Sequence, residues 1–280
     1  MNIVVGIDIG GSTTKIAGFD GDKLLVPVQI VASNAIASVF GAFGKFLYDN
    51  KLELRDISEV HLTGGGAQHV EQAIYGLPTF CVDEFTANGL GGGYFAENKS
   101  KFMVVSMGTG TSFVGVVDGV PIHFGGIGIG GGTIVGLSKY ILHTNDMDRI
   151  LEMAEEGNVG KIDLRICDIS NDPLPGLNLD ITASNFGKAS SRATEDDRAA
   201  GIVHMVVESI CQTAALISQR TDIRELVLIG TLTKLKQCLE CSAMVESLFP
   251  DTKFTVPDYG EYATAIGAAL AGADSAKRIA

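Results

Sequence analysis

Asp8-Ile-Gly-Gly-Ser-Thr-Thr-Lys15 sets a carboxylate and an ammonium on either side of a turn made of glycines and hydroxyl residues. Consecutive backbone N–H groups and hydroxyls in such a turn suit the β- and γ-phosphates of a nucleotide. Lys15 adds a point charge, and Asp8, at the end of an apolar run, can hold Mg2+ through water. Ser106-Met-Gly-Thr-Gly-Thr-Ser112 repeats the glycines and hydroxyls without the charges. Gly125-Gly-Ile-Gly-Ile-Gly-Gly-Gly-Thr133 is a dense glycine run that leads directly into the periodic apolar residues Ile134, Leu137, Ile141 and Leu142. Glycine brings no side chain to a core and loses the most entropy on ordering, but it lets the backbone approach a ligand. At the mouth of a helix, the free N–H groups of the first turn then favour an anion. A flexible linker shares this composition but does not usually run into an amphipathic helix, so the run reads as a phosphate cradle. Asp83-Glu84 follows a short apolar segment and offers a carboxylate that can orient a hydroxyl and accept its proton. The alternative for that pair is a solvated helix start, where both acids simply favour the dipole.

These residues need elements to hold them. The turn at 10–14 joins two strands, 3–8 and 15–19, whereas a Walker A loop or a dinucleotide fingerprint joins a strand to a helix. A third strand is expected at 24–31. A helix follows, capped by Ser33 or Asn34, with Ile36, Val39, Phe40, Phe43, Phe46 and Leu47 on one face. A short strand at 59–62 precedes Thr63-Gly-Gly-Gly66, which is expected to open a helix to about residue 74. Another strand at 80–82 delivers Asp83-Glu84 to a helix ending near residue 95. The order then repeats: strand 102–106, the second glycine turn, strand 113–117, a hairpin at Asp118-Gly119, and strand 120–124 into the cradle. Helices are expected near 133–143 and 146–156, with an irregular stretch at 171–176. Thr194-Glu-Asp-Asp197 starts a long helix to about residue 220 as a capping box, with Ile202, Met205, Val206, Ile210, Ala214 and Ile217 as its apolar stripe. His204 and Met205 read as packing residues there. Strands at 225–229 and 254–256 and a last helix of small residues complete the chain. Two halves, 1–95 and 96–280, each built on a hairpin with a Gly/Ser/Thr turn, imply an α/β duplication with a cleft between the halves.

Composition bounds the partners. The chain has 280 residues, 46% of them hydrophobic and 19% charged, which excludes a disordered polymer. A net charge of −12 with no basic cluster disfavours nucleic acid and anionic membrane. No basic leader opens the chain, and no apolar run is expected to approach a membrane span, so a cytoplasmic protein is expected. Five scattered cysteines argue for reduced thiols, and Cys238-Leu-Glu-Cys241 lacks the second pair or histidine of a metal site.

The combination resembles the actin/hexokinase/Hsp70 ATPase superfamily. Residues 8–15 and 108–112 look like its two phosphate motifs, Leu226-Val-Leu-Ile-Gly-Thr231 like its adenosine motif, and Ala265-Ile-Gly-Ala-Ala269 like its last connecting helix. Where most members carry an Asp on the second phosphate strand, this chain has Ser106. Within that superfamily the chain resembles the type II (Fumble-type) pantothenate kinases nearly end to end. Gly6-Ile-Asp-Ile-Gly-Gly11, Leu62-Thr-Gly-Gly65, Val82-Asp-Glu-Phe85, the two later glycine runs and Asp180-Ile-Thr-Ala-Ser-Asn-Phe-Gly187 carry the likeness, the last being the most specific.

The resemblance implies duplicated ribonuclease-H-like domains, Mg2+ as metal ion, a homodimer, and transfer of the γ-phosphoryl of ATP to the primary hydroxyl of pantothenate. It implies Glu84 as the catalytic carboxylate. It places Gly10, Gly11, Ser12, Thr13, Thr14, Lys15, Thr109, Gly131, Gly132, Thr133 and Ile134 along ATP, with Thr231 on the adenine side. Glu84, Thr109, Thr111, His123 and Gly125 fall on the acceptor side, His123 standing where the family has an arginine. Two other readings stay open: another small-molecule kinase of the superfamily, and an ATPase activator of a 2-hydroxyacyl-CoA dehydratase. The second would need cysteines for an iron–sulfur cluster near mid-chain, and residues 100–160 contain none.

Overall fold

The structure, a computed structural model, describes residues 2–31, 34–170, 179–271 and 276–279. The first half runs β1 (Ile3–Ile9), β2 (Thr13–Asp20), β3 (Lys23–Leu24), β4 (Val28–Val31), α1 (Ala35–Asn50), β5 (Ile57–Thr63), β6 (Thr79–Val82) and α2 (Glu84–Phe95). The second runs β7 (Lys101–Met107), β8 (Thr111–Val117), β9 (Val120–Ile127), α3 (Gly131–Ile141), α4 (Met147–Glu156), β10 (Leu164–Arg165), α5 (Ile166–Ile169) and β11 (Thr182–Ser184). It continues through α6 (Glu195–Thr221), β12 (Glu225–Ile229), α7 (Lys236–Leu248), β13 (Lys253–Thr255), α8 (Ala263–Leu270) and β14 (Ala276–Ile279).

Two mixed sheets repeat one plan. In the first, the antiparallel pair β1–β2 is extended by β5 and β6 in parallel with β1, and β3 and β4 both pair with β2. In the second, the antiparallel pair β7–β8 is extended by β12 and β13 in parallel on one side and by β9 on the other. Each glycine turn therefore sits at the same end of an equivalent hairpin. The duplication expected from the repeated hairpins is present.

Packing fixes how the two hairpins are presented. Alternate residues Ile3, Val5, Ile7 and Ile9 of β1 are fully buried and join Val39, Phe43 and Phe46 of α1 in one core. The opposite face of β1 lies against α8 so closely that a Cβ on Gly6 would stand 2.0 Å from the Ala265 carbonyl oxygen. The same α8 packs on α2 through paired small residues, since a Cβ on Gly91 or Gly267 would strike backbone at 1.9 Å or 1.8 Å. Thus α8 ties β1, which carries Asp8, to α2, which carries Glu84. Although it belongs to the second stretch of chain, α8 contacts β1, β2 and β5, and β14 pairs with β6 in the first sheet.

Several local expectations are corrected. No α-helix spans 64–74; the chain there makes two 3₁₀ turns, Ala67–His69 and Ile74–Gly76. The glycines press the backbone onto the end of β1 instead: Gly64 has φ +85°, and the Gly66 N–H donates to the Ile9 carbonyl at 2.9 Å. The strand expected at 24–31 is broken at Val26-Pro27, where proline has no N–H for the ladder. Asn34 caps α1 through the Ala37 N–H, and Ser33 lies outside the described residues. Phe40 of the expected stripe is exposed and meets Tyr75 edge-on at 5.0 Å. The irregular stretch at 171–176 also lies outside the described residues.

By length and composition α6 is long and apolar enough to cross a membrane, contrary to the expectation that no run approaches that length; 61% of its apolar window is buried inside the protein. Ile202, Val206, Ile210 and Ala214 pack with the sheet and with Cys238 and Cys241 of α7 as the core of the second half. The apolar stripe of α6 is thereby occupied within its own half and is not free to receive a second copy of the chain. Burial pushes the Cys238 thiol up to about 12, and its Sγ donates to the Leu232 carbonyl, so these sulfurs are core groups.

Candidate active site

The first hairpin brings its charges face to face. Asp8 and Lys15 are cross-strand partners in the β1–β2 register. Thr13, Thr14 and Lys15 belong to β2 itself, leaving Gly10, Gly11 and Ser12 as the turn. Burial pushes the Asp8 carboxyl up from its ordinary range to about 6, against the pull of Lys15 and with a further push from Glu84. The Lys15 ammonium is buried and shifted down for the same reason, with Asp8 opposing. Its Nζ donates across the cleft to Thr231 Oγ1 at 3.0 Å. Around Asp8, a Cβ on Gly64 would lie 2.5 Å from Oδ1, so only glycine lets β5's exit run so close to the carboxylate. The buried hydroxyl of Thr63, the register partner of Asp8 on β5, has no hydrogen-bond partner among the described residues, and neither has that of Thr14, which sits opposite Ile9 on the other face of the hairpin.

The second hairpin has the same shape but is held differently. Gly131 and Gly132, the first residues of α3, donate their N–H groups to the carbonyls of Gly108 and Thr109 at 2.8 Å and 2.9 Å. The next N–H groups, of Thr133 and Ile134, go to Gly130 O. Thr111 Oγ1 donates to Ile129 O at 2.8 Å, and Thr133 Oγ1 accepts from the Gly130 N–H at 3.1 Å. This corrects the cradle derived from free helix N–H groups, because the first turn of α3 spends its amides on gripping the second hairpin. The N–H groups at the tips, of Gly11, Ser12, Thr109 and Gly110, have no protein acceptor among the described residues. The tips face each other: a Cβ on Gly11 would come within 3.9 Å of Thr109 Oγ1.

Glu84 opens α2 at the rim of this cleft. Asp83 caps the helix by accepting from the N–H groups of Phe85 and Thr86, both at 3.0 Å, which leaves the Glu84 carboxylate uncommitted to capping. Partial burial, then the Asp83 charge, raises the Glu84 carboxyl above its usual range. Beside it, His123 of β9 lies flat on Phe85, with ring centroids 4.0 Å apart and planes 19° apart. The β8–β9 register slips between His123 and Gly125, and Gly125 takes φ +123°, a conformation that favours glycine.

Residues 94–271 match the sequence profile of the Fumble family. The chain belongs to the Fumble family. It is a kinase, a phosphotransferase with an alcohol acceptor. Similar members include a "Type II pantothenate kinase" of Bacillus cereus strain G9842, 28% identical over 246 residues that cover 82% of this chain and 84% of that one. Another, of Oceanobacillus iheyensis, is 26% identical over 273 residues, 95% of this Fumble chain and 98% of that one. In fold, the chain is similar to the activator of the 2-hydroxyisocaproyl-CoA dehydratase from Clostridium difficile with bound ADPNP, at a TM-score of 0.68 and 17% identity over 96% of this chain and 93% of that one.

The Fumble-type segment 180–187 is tied to α6 and to Asp163 in the second half. Its Asn185 donates to Glu208 Oε2 at 2.8 Å and its Phe186 N–H to the buried Asp163 at 2.8 Å. Asp163 also meets His204 Nδ1 at 2.9 Å, so His204 is part of a buried polar clamp rather than apolar packing. Sequence reasoning also passed over Thr63, Phe85 and the Lys15–Thr231 pair. A hydroxyl at a strand end and an aromatic beside an acid carry no distinctive local signal.

Proposed function

We propose that this protein transfers the γ-phosphoryl group of ATP to the primary hydroxyl of pantothenate, as the first committed chemistry towards coenzyme A. The observation that carries the reading is the convergence of Asp8, Lys15 and Glu84 beside two facing hairpin tips whose N–H groups have no protein acceptor. Those four amides suit phosphate oxygens, and Lys15 supplies a desolvated cation between them. Asp8 fits Mg2+: a desolvated carboxylate with the unpartnered hydroxyl of Thr63, its register partner on β5, can hold the ion through water. When bound, Mg2+ neutralises charge on the phosphates.

Glu84 acts at the acceptor. Its carboxylate orients the hydroxyl and takes its proton as the new O–P bond forms and the bond from γ-phosphorus to the ADP oxygen breaks. A carboxyl held above its usual range is a stronger base for that proton. His123 and Phe85 form a flat wall beside it for the acceptor's carbon skeleton. A homodimer is the form the resemblance implies, with a surface other than α6's stripe, in a protein expected to be cytoplasmic.

The test is an ATP- and Mg2+-dependent assay on pantothenate, pantetheine and a panel of sugars. Formation of phosphopantothenate is expected. Phosphorylation of a sugar alone would overturn the acceptor while leaving a kinase.

A further inference from the structure

We propose that Thr231 is a positioning residue for Lys15, so that the second half of the molecule aims the cation supplied by the first. The inference rests on the cleft being a nucleotide site and is independent of which alcohol is phosphorylated.

Asp8 and Lys15 stand opposite each other in an antiparallel register, the arrangement in which an ammonium on a flexible stem closes onto its carboxylate. Lys15 does not do so. Its Nζ is directed away, to Thr231 Oγ1 at 3.0 Å, while Asp8 acts on it only through space. A direct ion pair would occupy carboxylate oxygens that a hydrated metal ion needs, and would withdraw the cation from the phosphates. Thr231 holds the two apart.

The hydroxyl can do this because its own backbone is fixed. β12 ends at Ile229, beside Ser106 of β7, and Gly230 turns the chain at φ +98° over the end of that strand. A Cβ on Gly230 would lie 2.4 Å from the Met107 carbonyl oxygen, so only glycine allows the approach. The Gly230 N–H donates to Gly260 O at 2.9 Å, and Thr233 Oγ1 donates to Gly230 O at 2.8 Å. Thr231 is therefore delivered by a braced turn of the second sheet to a lysine of the first. That contact spans 216 residues of chain.

The experiment compares wild type, Thr231→Val, Thr231→Ser, Lys15→Met and the Lys15→Met/Thr231→Val double variant. Mg·ADP binding is titrated by calorimetry, with the Mg2+ dependence of turnover and the melting temperature followed in parallel. Thr231→Val should weaken Mg·ADP binding about tenfold, the order expected for a lost hydrogen bond to a charged group, and raise the Mg2+ needed for half-maximal rate. The acceptor KM should hold, and Thr231→Ser should restore binding. The double variant should bind no worse than Lys15→Met, because Thr231 acts only through that lysine. Additive losses, or a Thr231→Val protein that binds Mg·ADP like wild type at an unchanged melting temperature, would overturn the proposal alone. Wild-type protein that does not bind Mg·ADP would overturn the nucleotide reading and this inference with it.

Discussion

The two hairpins share a topology and divide the work. The first is charged and lightly supported: Asp8 faces Lys15, and its tip lies in open space except for Thr109 across the cleft. The second is neutral, with Ser106 opposite Ser112 where the first has Asp8 opposite Lys15, and it is clamped by the first turn of α3. A duplicated frame thus supplies phosphate-facing amides twice but concentrates cation and carboxylate chemistry in one copy. The glycine run after β9, the most conspicuous feature of the chain, serves the neutral copy as a brace.

The charged side should respond most strongly. Glu84→Gln is expected to cut kcat by about 10²–10⁴-fold, the usual contribution of a positioned base, while Mg·ADP binding stays within error in calorimetry. Unaltered turnover would remove Glu84 from the mechanism.

Asp8→Asn should abolish Mg2+-dependent turnover and yet stabilise the fold near pH 8. The carboxyl is raised in the folded state, so its ionisation costs stability; that cost is absent below the ordinary carboxylate range near 3.8 and fully present above about 6. Melting temperatures of variant and wild type should therefore converge at acid pH and diverge, in favour of the variant, as pH rises through about 6. In wild type, Mg2+ binding should strengthen over the same interval. A variant that melts below wild type at pH 8 would show that Asp8 is a structural partner of Lys15.

Glycine substitutions sharpen the contrast between the tips. At Gly130 a Cβ would meet the carbonyl oxygens of Thr109 and Gly108 at 2.7 Å and 2.8 Å, so Gly130→Ala should destabilise the protein by about 1–3 kcal/mol in denaturant unfolding. Gly11→Ala has room, with no atom nearer than 3.9 Å. It should leave the unfolding midpoint unchanged and weaken Mg·ADP binding by crowding the phosphate. Equal effects at both positions would erase the distinction between brace and tip.

The smallest change is expected at His123→Arg. An arginine can keep the stacking on Phe85 and adds a permanent cation, so kcat/KM for pantothenate should hold or rise. A collapse of the melting temperature would make His123 a support for β9.

Much of this was legible in the chain itself. Alternating β-branched residues around glycine turns identify both hairpins, because period-2 burial and turn chemistry are local properties. The repeat of that pattern identifies the duplication, and an acid pair after a short strand marks Glu84. Elsewhere local rules mislead. Thr63-Gly-Gly-Gly66 looks like a helix start but lies along β1, since what decides it is the space beside Asp8 and Ile9. The amides of α3 look free for phosphate, yet they are taken by the carbonyls of a turn more than twenty residues earlier. The apolar stripe of α6 looks like a surface for a second copy and is instead the core of its own half.

Amino-acid order thus determined which backbone could turn, which strands could pair and where carboxylate, ammonium and glycine would occur. Only the tertiary structure decided that Asp8 would lose its water, that Lys15 would reach for Thr231, and which amides would stay unpaired. Desolvation and long-range hydrogen bonds depend on what the rest of the chain brings to a point in space, and no window along the sequence contains both partners.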